Sequence, residues 1–146
     1  MPSPRRAFAA LAAAALVTTI AVLPAPASAA GVTHMRDFVG TWVSPGADLT
    51  RVKITKDGGR TTVQLWGNCG GERCSIGEFE AQRLATTPSD GSRGVVALRG
   101  QREMWWATVD YLITLRNGDL VLQQVYDYHD RSGRKDSYEE YVLLRK

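Results

Sequence analysis

Asp37-Phe38-Val39-Gly40-Thr41-Trp42-Val43 is the stretch whose reading decides the fold. It places a Gly-x-Trp at the entry to a first strand, and Pro45-Gly46 closes that strand after Ser44. At the other end of the chain, Tyr141-Val142-Leu143-Leu144-Arg145 reads as a last strand that finishes on an arginine. A guanidinium laid over an indole contributes about 0.5–2 kcal/mol, the larger value when water is excluded. Arg145 over Trp42 would also join the two chain ends, as closing a sheet into a barrel requires. Gly40, Trp42 and Arg145 are therefore the expected structural plug.

Upstream of this stretch the composition changes. Arg5 and Arg6 form a basic start, Ala7 to Val22 is an uncharged, alanine-rich run, and Leu23-Pro24-Ala25-Pro26 breaks it. Ala27-Ser28-Ala29 fits a small-x-small cleavage pattern, so residues 1–29 are expected to be a secretory signal peptide, with cleavage after Ala30 as the alternative. The run is too short, and too closely followed by prolines, to favour a transmembrane anchor. Arg5-Arg6-Ala7-Phe8 also resembles a twin-arginine signal, which leaves the Sec and twin-arginine routes both open. The alanine and arginine bias suggests a bacterium with a high-GC genome.

The full chain of 146 residues carries a net charge of +3. Losing Arg5 and Arg6 leaves 16 Lys+Arg against 15 Asp+Glu, a net charge of +1. Nothing in that balance calls for nucleic acid. Residues 30–146 suffice for one domain with a core of its own.

Those residues read as strand after strand, with short alternating runs separated by turn residues. Strands are expected over 38–44, 51–55, 61–67, 76–84, 94–99, 104–115, 120–129 and 138–145. Asp57-Gly58-Gly59 and Asn117-Gly118-Asp119 mark hairpins, Gly100-Gln101-Arg102 a further turn, and 86–92 a polar loop. The expectation is an all-β fold, an up-and-down antiparallel barrel of about eight strands, with a β-sandwich as the alternative. The two cysteines, Cys69 and Cys74, form a close even pair in an exported chain, which reads as a disulfide. A zinc site would need two further ligands, and His34 and His129 are distant in sequence. No metal or cofactor is expected.

Three motifs carry a resemblance: Phe38-x-Gly40-Thr41-Trp42; Trp66-Gly67-x-Cys69 with Cys74-x-x-Gly77; and Asp130-x-Ser132-Gly133-Arg134 followed by Tyr138. With them the chain resembles small secreted bacterial domains of the lipocalin-like, calycin-type barrel. Ser75 and Ile76 depart from the acidic residue and tryptophan that commonly follow the second cysteine there. The resemblance implies a calyx and, often, capture of a small apolar molecule; it implies no catalysis. Avidin-like proteins share the Gly-Thr-Trp opening, but the cysteine loop is foreign to them.

The chemistry-bearing residues point the same way. No Gly-x-Ser-x-Gly elbow is present, since Asp90-Gly91-Ser92-Arg93-Gly94 lacks the first glycine. Asp127, His129 and Asp130 read as a solvated strand end beside a turn. The aromatic residues are concentrated instead: Trp66, Trp106, Tyr126, Tyr128 and Tyr141, with Gln124 as a polar group to orient a ligand, are the candidate calyx walls. If Arg145 faces inward, Leu143, Tyr141 and Glu139 do so too, and one of Trp105 and Trp106 must lie outside. The expected function is non-catalytic: a secreted barrel that binds a small apolar or aromatic ligand. The alternative is an extracellular domain with a filled core that meets a protein or polysaccharide. No nucleic-acid partner and no membrane anchor after processing are expected; oligomeric state stays open.

Overall fold

A computed structural model describes residues 33–44, 46–86 and 94–146. The expected signal peptide and most of the 86–92 loop lie outside the described residues. Among those described, a short helix α1 (Met35–Phe38) precedes nine strands. These are β1 (Gly40–Val43), β2 (Leu49–Asp57), β3 (Arg60–Cys69), β4 (Glu72–Glu80), β5 (Gln82–Ala85), β6 (Val95–Glu103), β7 (Ala107–Arg116), β8 (Asp119–Tyr128) and β9 (Ser137–Arg145). All paired neighbours are antiparallel, in the order β4-β3-β2-β1-β9-β8-β7-β6-β5. Only Ala81 separates β4 from β5, so the two ends of that order are one stretch of chain. The sheet must curl to meet itself, which gives an all-β, barrel-like fold rather than two packed sheets.

The expected fourth strand, 76–84, is thus split. Ala81 N–H still donates to Thr61 O of β3 at 2.8 Å, but the next residue, Gln82, is paired with Arg99 of β6. Along the rest of β4 the described residues show no backbone ladder to β6, and side chains fill that seam. Phe79 reaches across to Gly100, where an added Cβ would stand 2.1 Å from the Phe79 ring. Gly100 was expected in a turn; it lies in β6 because the seam needs a residue without a side chain there.

Two-residue hairpins fall where the glycines predict. Gly58-Gly59 joins the Asp57↔Arg60 pair and Asn117-Gly118 the Arg116↔Asp119 pair. Asn117 and Gly118 have φ of 55° and 91°, the left-handed pair such turns require. The cysteine segment is not the open loop expected from sequence: β3 and β4 run through it to a turn at Gly70-Gly71, with Gly67↔Cys74 in register. Cys69 and Cys74 are disulfide-bonded, Cα to Cα 5.8 Å.

Alternation sorts the side chains. Thr61, Val63, Leu65 and Gly67 of β3 are buried, while Thr62, Gln64 and Trp66 share the outer face. Val52 and Ile54, Leu98, Val109 and Ile113, Leu120 and Leu122, and Leu143 complete the interior, each fully buried. Burying such side chains stabilises the fold by roughly 1.5–3 kcal/mol each before entropy is counted.

One end of this interior is stoppered by α1. Phe38 and Trp42 are buried, and Trp42 Nε1 donates to Phe38 O at 2.9 Å. Arg145 lies over the Trp42 ring and donates through Nη2 to Asp37 O and Val39 O, at 2.8 and 3.1 Å. The helix is too short to show an amphipathic period, so the sequence pattern gave no signal of it.

Candidate functional site

The end of the barrel opposite the plug is built from the last residues of β6 and β8 and the first of β7 and β9. Inward-facing residues there form rows across the sheet: Tyr111↔Gln124↔Glu139, then Val109↔Tyr126↔Ser137. The strand period of two places them on the same face as the aliphatic core. The chemistry changes abruptly along that face, from leucine and valine to amide, phenol and carboxylate.

Gln124 is the centre of the polar part, only 6% exposed. Its Nε2 donates to Tyr126 Oη at 2.9 Å and to Glu139 Oε2 at 2.5 Å. Tyr141 Oη donates to the same carboxylate oxygen at 2.8 Å. Burial pushes the Tyr126 phenol up to about 12, helped by the Glu139 charge. Tyr141 is raised by burial and then by its hydrogen bond to Glu139. Tyr111 is raised by burial, against the pull of the nearby Arg102 charge. All three phenols are neutral donors in any physiological medium.

An aromatic ladder rises beside this network. Tyr126 and Tyr128 stack at 5.8 Å between centroids, and Trp106 stacks on them at 6.2 and 5.7 Å. Arg134 caps it, its Cζ 4.9 Å from the Trp106 ring and 4.4 Å from that of Tyr128. The Asp130–Arg134 turn holds this cation: Arg134 pairs with the Asp130 carboxylate and donates through Nε to Ser132 Oγ at 2.9 Å. The Ser132 hydroxyl, and then Arg134, keep the Asp130 carboxyl below its ordinary range.

The third part is Arg102 on β6, level with the buried Val109. Its guanidinium crosses the β4–β6 seam and lies on Gly77, where an added Cβ would meet Nη2 at 2.5 Å. Beside it, Phe79 and Tyr111 stack at 4.4 Å, 11° from parallel. Arg102 Nη1 is buried and has no hydrogen-bond partner among the described residues.

The expected wall residues do not all meet here. Gln124, Tyr126, Tyr128, Tyr141 and Trp106 do. Trp66 does not: it stands on the outer face of β3, with the Arg51 guanidinium 5.6 Å from its ring centroid. Trp105 and Trp106 belong to the β6–β7 turn rather than to a strand, and Trp105 is 85% exposed. Tyr111, one of the aromatic residues whose clustering suggests a calyx, joins them, and Arg102 and Arg134 complete the site with no sequence signal as wall residues. Arg102 was hidden by the turn expected at Gly100, whereas the inward parity of Glu139 followed from Arg145.

Two clefts lie on the outside of the sheet. One, about 360 Å³, is lined by Glu80, Gln82, Arg99, Gln101 and Asp110 with Gly100. The other, about 230 Å³ and mostly apolar, includes Leu112, Val125 and Tyr138 among its walls. Among the described residues no helix is long and apolar enough to cross a membrane. Comparison with protein-family models, curated proteins and solved structures finds no match for this chain.

Proposed function

We propose that this protein is a secreted, non-catalytic barrel of the lipocalin-like type that binds a small ligand carrying an aromatic group. The ligand enters at the polar end, and the Phe38–Trp42–Arg145 plug closes the other. The observation that carries this reading is the buried Gln124, on the inward face of β8, with its phenol and carboxylate partners at the open end of the barrel. A core needed only for stability would be filled more favourably with aliphatic side chains, since polar groups must be desolvated and then satisfied. Ligand sites, by contrast, combine apolar and aromatic walls with a few placed polar groups. The disulfide suits an oxidising compartment, which fits export.

A second reading has its own support. The apolar groove at Leu112, Val125 and Tyr138 faces outward, and Val125 and Tyr138 are 45% and 57% exposed. A protein or polysaccharide partner would use that face and leave the interior empty of ligand.

Native mass spectrometry of the mature protein, secreted by its own host without refolding, separates the two. A discrete extra mass lost on denaturation supports the calyx. A bare chain mass, together with unchanged Trp106 fluorescence across a panel of aromatic small molecules, argues for the outer groove.

A further inference from the structure

Among the described residues, Arg102 is the feature of the polar end that the hydrogen-bond network there leaves incomplete. A guanidinium presents five N–H donors in a rigid fork. Its Nη1 is buried without a partner among the described residues. Among the described residues no carboxylate lies within salt-bridge distance of it. Arg102 as a whole is half-buried, but a guanidinium nitrogen withdrawn from water and left without an acceptor is costly, and proteins normally supply one. Here the fold does the reverse and makes room for the cation. Gly77, at φ +131°, is the inward-facing position beneath the guanidinium, and any side chain there would displace it.

The surroundings fit an occupant of definite chemistry. Tyr111 stands next to Arg102, its ring held flat by the Phe79 stack. Its neutral phenol is a donor, as an anion requires. On the side toward solvent come the stacked faces of Tyr126, Tyr128 and Trp106, capped by the second cation, Arg134. The carboxylate of the site, Glu139, is on β9, separated from β6 by two strands, and its Oε2 is already engaged by Gln124 and Tyr141. An anion is therefore directed to the β6 side and away from β9.

We infer that the ligand is a small planar aromatic carboxylate. Its carboxylate completes the Arg102 fork beside the Tyr111 hydroxyl, and its ring lies along the Trp106–Tyr128–Tyr126 ladder. Charge-assisted, bidentate pairing is the strongest form of such recognition. This inference rests on the calyx reading and names the ligand class of that same site.

The test is calorimetric titration of the mature protein with three probes of one shape: 1-naphthoate, the neutral 1-naphthamide and the cationic 1-naphthylmethylammonium. The carboxylate is expected to bind roughly 10- to 100-fold more tightly than the amide, the usual worth of a charged hydrogen-bond pair. Arg102→Met should abolish that preference, bringing carboxylate binding down to the level of the amide; replacing a half-buried charge by an apolar group of similar length is commonly tolerated. Gly77→Ala, which displaces the guanidinium, should reduce the preference in the same direction.

Equal binding of carboxylate and amide by the unaltered protein overturns the inference, and needs no variant to fold. So does a preference that survives in Arg102→Met. Binding of amide and ammonium but not carboxylate leaves the calyx standing and removes only the anion. Failure of all three probes removes the calyx reading as well.

Discussion

Arg145 and Trp42, 103 positions apart in the chain, are partners in the β1–β9 ladder and also stack, with the guanidinium carbon 4.8 Å from the indole centroid. Among the described residues the β1–β9 ladder has two pairs, Trp42↔Arg145 and Val43↔Leu144. Side-chain contacts therefore carry much of the closure at this point. Arg145 adds two hydrogen bonds to carbonyls of the entry segment, and Trp42 adds one to Phe38.

Trp42→Ala should accordingly lower the unfolding free energy by about 3–5 kcal/mol, as for other buried large-to-small truncations. Arg145→Met removes the cation while keeping an apolar stem, and should cost about 0.5–2 kcal/mol. Urea unfolding followed by tryptophan fluorescence measures both. A Trp42→Ala protein as stable as its parent would exclude the plug.

Gly100→Ala should destabilise by roughly 1–3 kcal/mol, the range for overpacking a filled core. The new methyl would meet the Phe79 ring, which is held in a stack with Tyr111. Phe79→Leu in the same chain should restore part of the loss by making room at that contact. A double-mutant cycle reads the coupling, and strict additivity would mean the seam is not packed as described.

The alkaline limb of stability follows from Tyr126. In the unfolded chain this phenol loses its proton near the ordinary value of about 10, and in the folded state near 12. Because the folded value is raised, the contribution is fully present below about pH 10 and is lost as pH rises to about 12. Tyr141 and Tyr111 are shifted in the same direction. Tyrosinate absorbance should therefore show a late-titrating class that disappears in denaturant. Tyr126→Phe, which cannot ionise, should flatten the decline between those pH values.

Reducing Cys69–Cys74 should cost about 2 kcal/mol, since the bridge closes a short loop and limits the unfolded chain little. The surrounding hairpin keeps its ladder pairs from Leu65↔Gly77 down to Thr62↔Glu80. Far-ultraviolet circular dichroism should stay β-rich after reduction, with a lowered midpoint on heating. Complete loss of signal at ambient temperature would show that the hairpin depends on the bridge.

Asp130→Asn should free Arg134 from the aromatic ladder, because the carboxylate is its ionic anchor. Trp106 fluorescence should change without a comparable loss of stability, because an ion pair this close to solvent is screened and contributes little to folding. An unaltered emission spectrum would show that Arg134 holds its place without Asp130.

Much of the architecture was legible in the residues. Period-two alternation, Asn117-Gly118 and Gly58-Gly59, and the Gly-x-Trp opposite a terminal arginine sufficed for an all-β barrel-like fold. Inward parity then followed along β9 from Arg145 through Leu143 and Tyr141 to Glu139, because neighbouring side chains in a strand must alternate. Those are local rules, so local sequence determined them. What only the tertiary structure decided lies at the seam. Whether Gly100 makes a turn or a close contact depends on Phe79, 21 positions earlier. Whether Arg102 faces solvent or the interior depends on Gly77, 25 positions earlier. Trp66 and Trp106 are equally apolar in composition, yet one lies outside the barrel and the other in the ladder. Strand parity and the start of β7 separate them, and the second is fixed by pairing with β8 rather than by any neighbour in sequence.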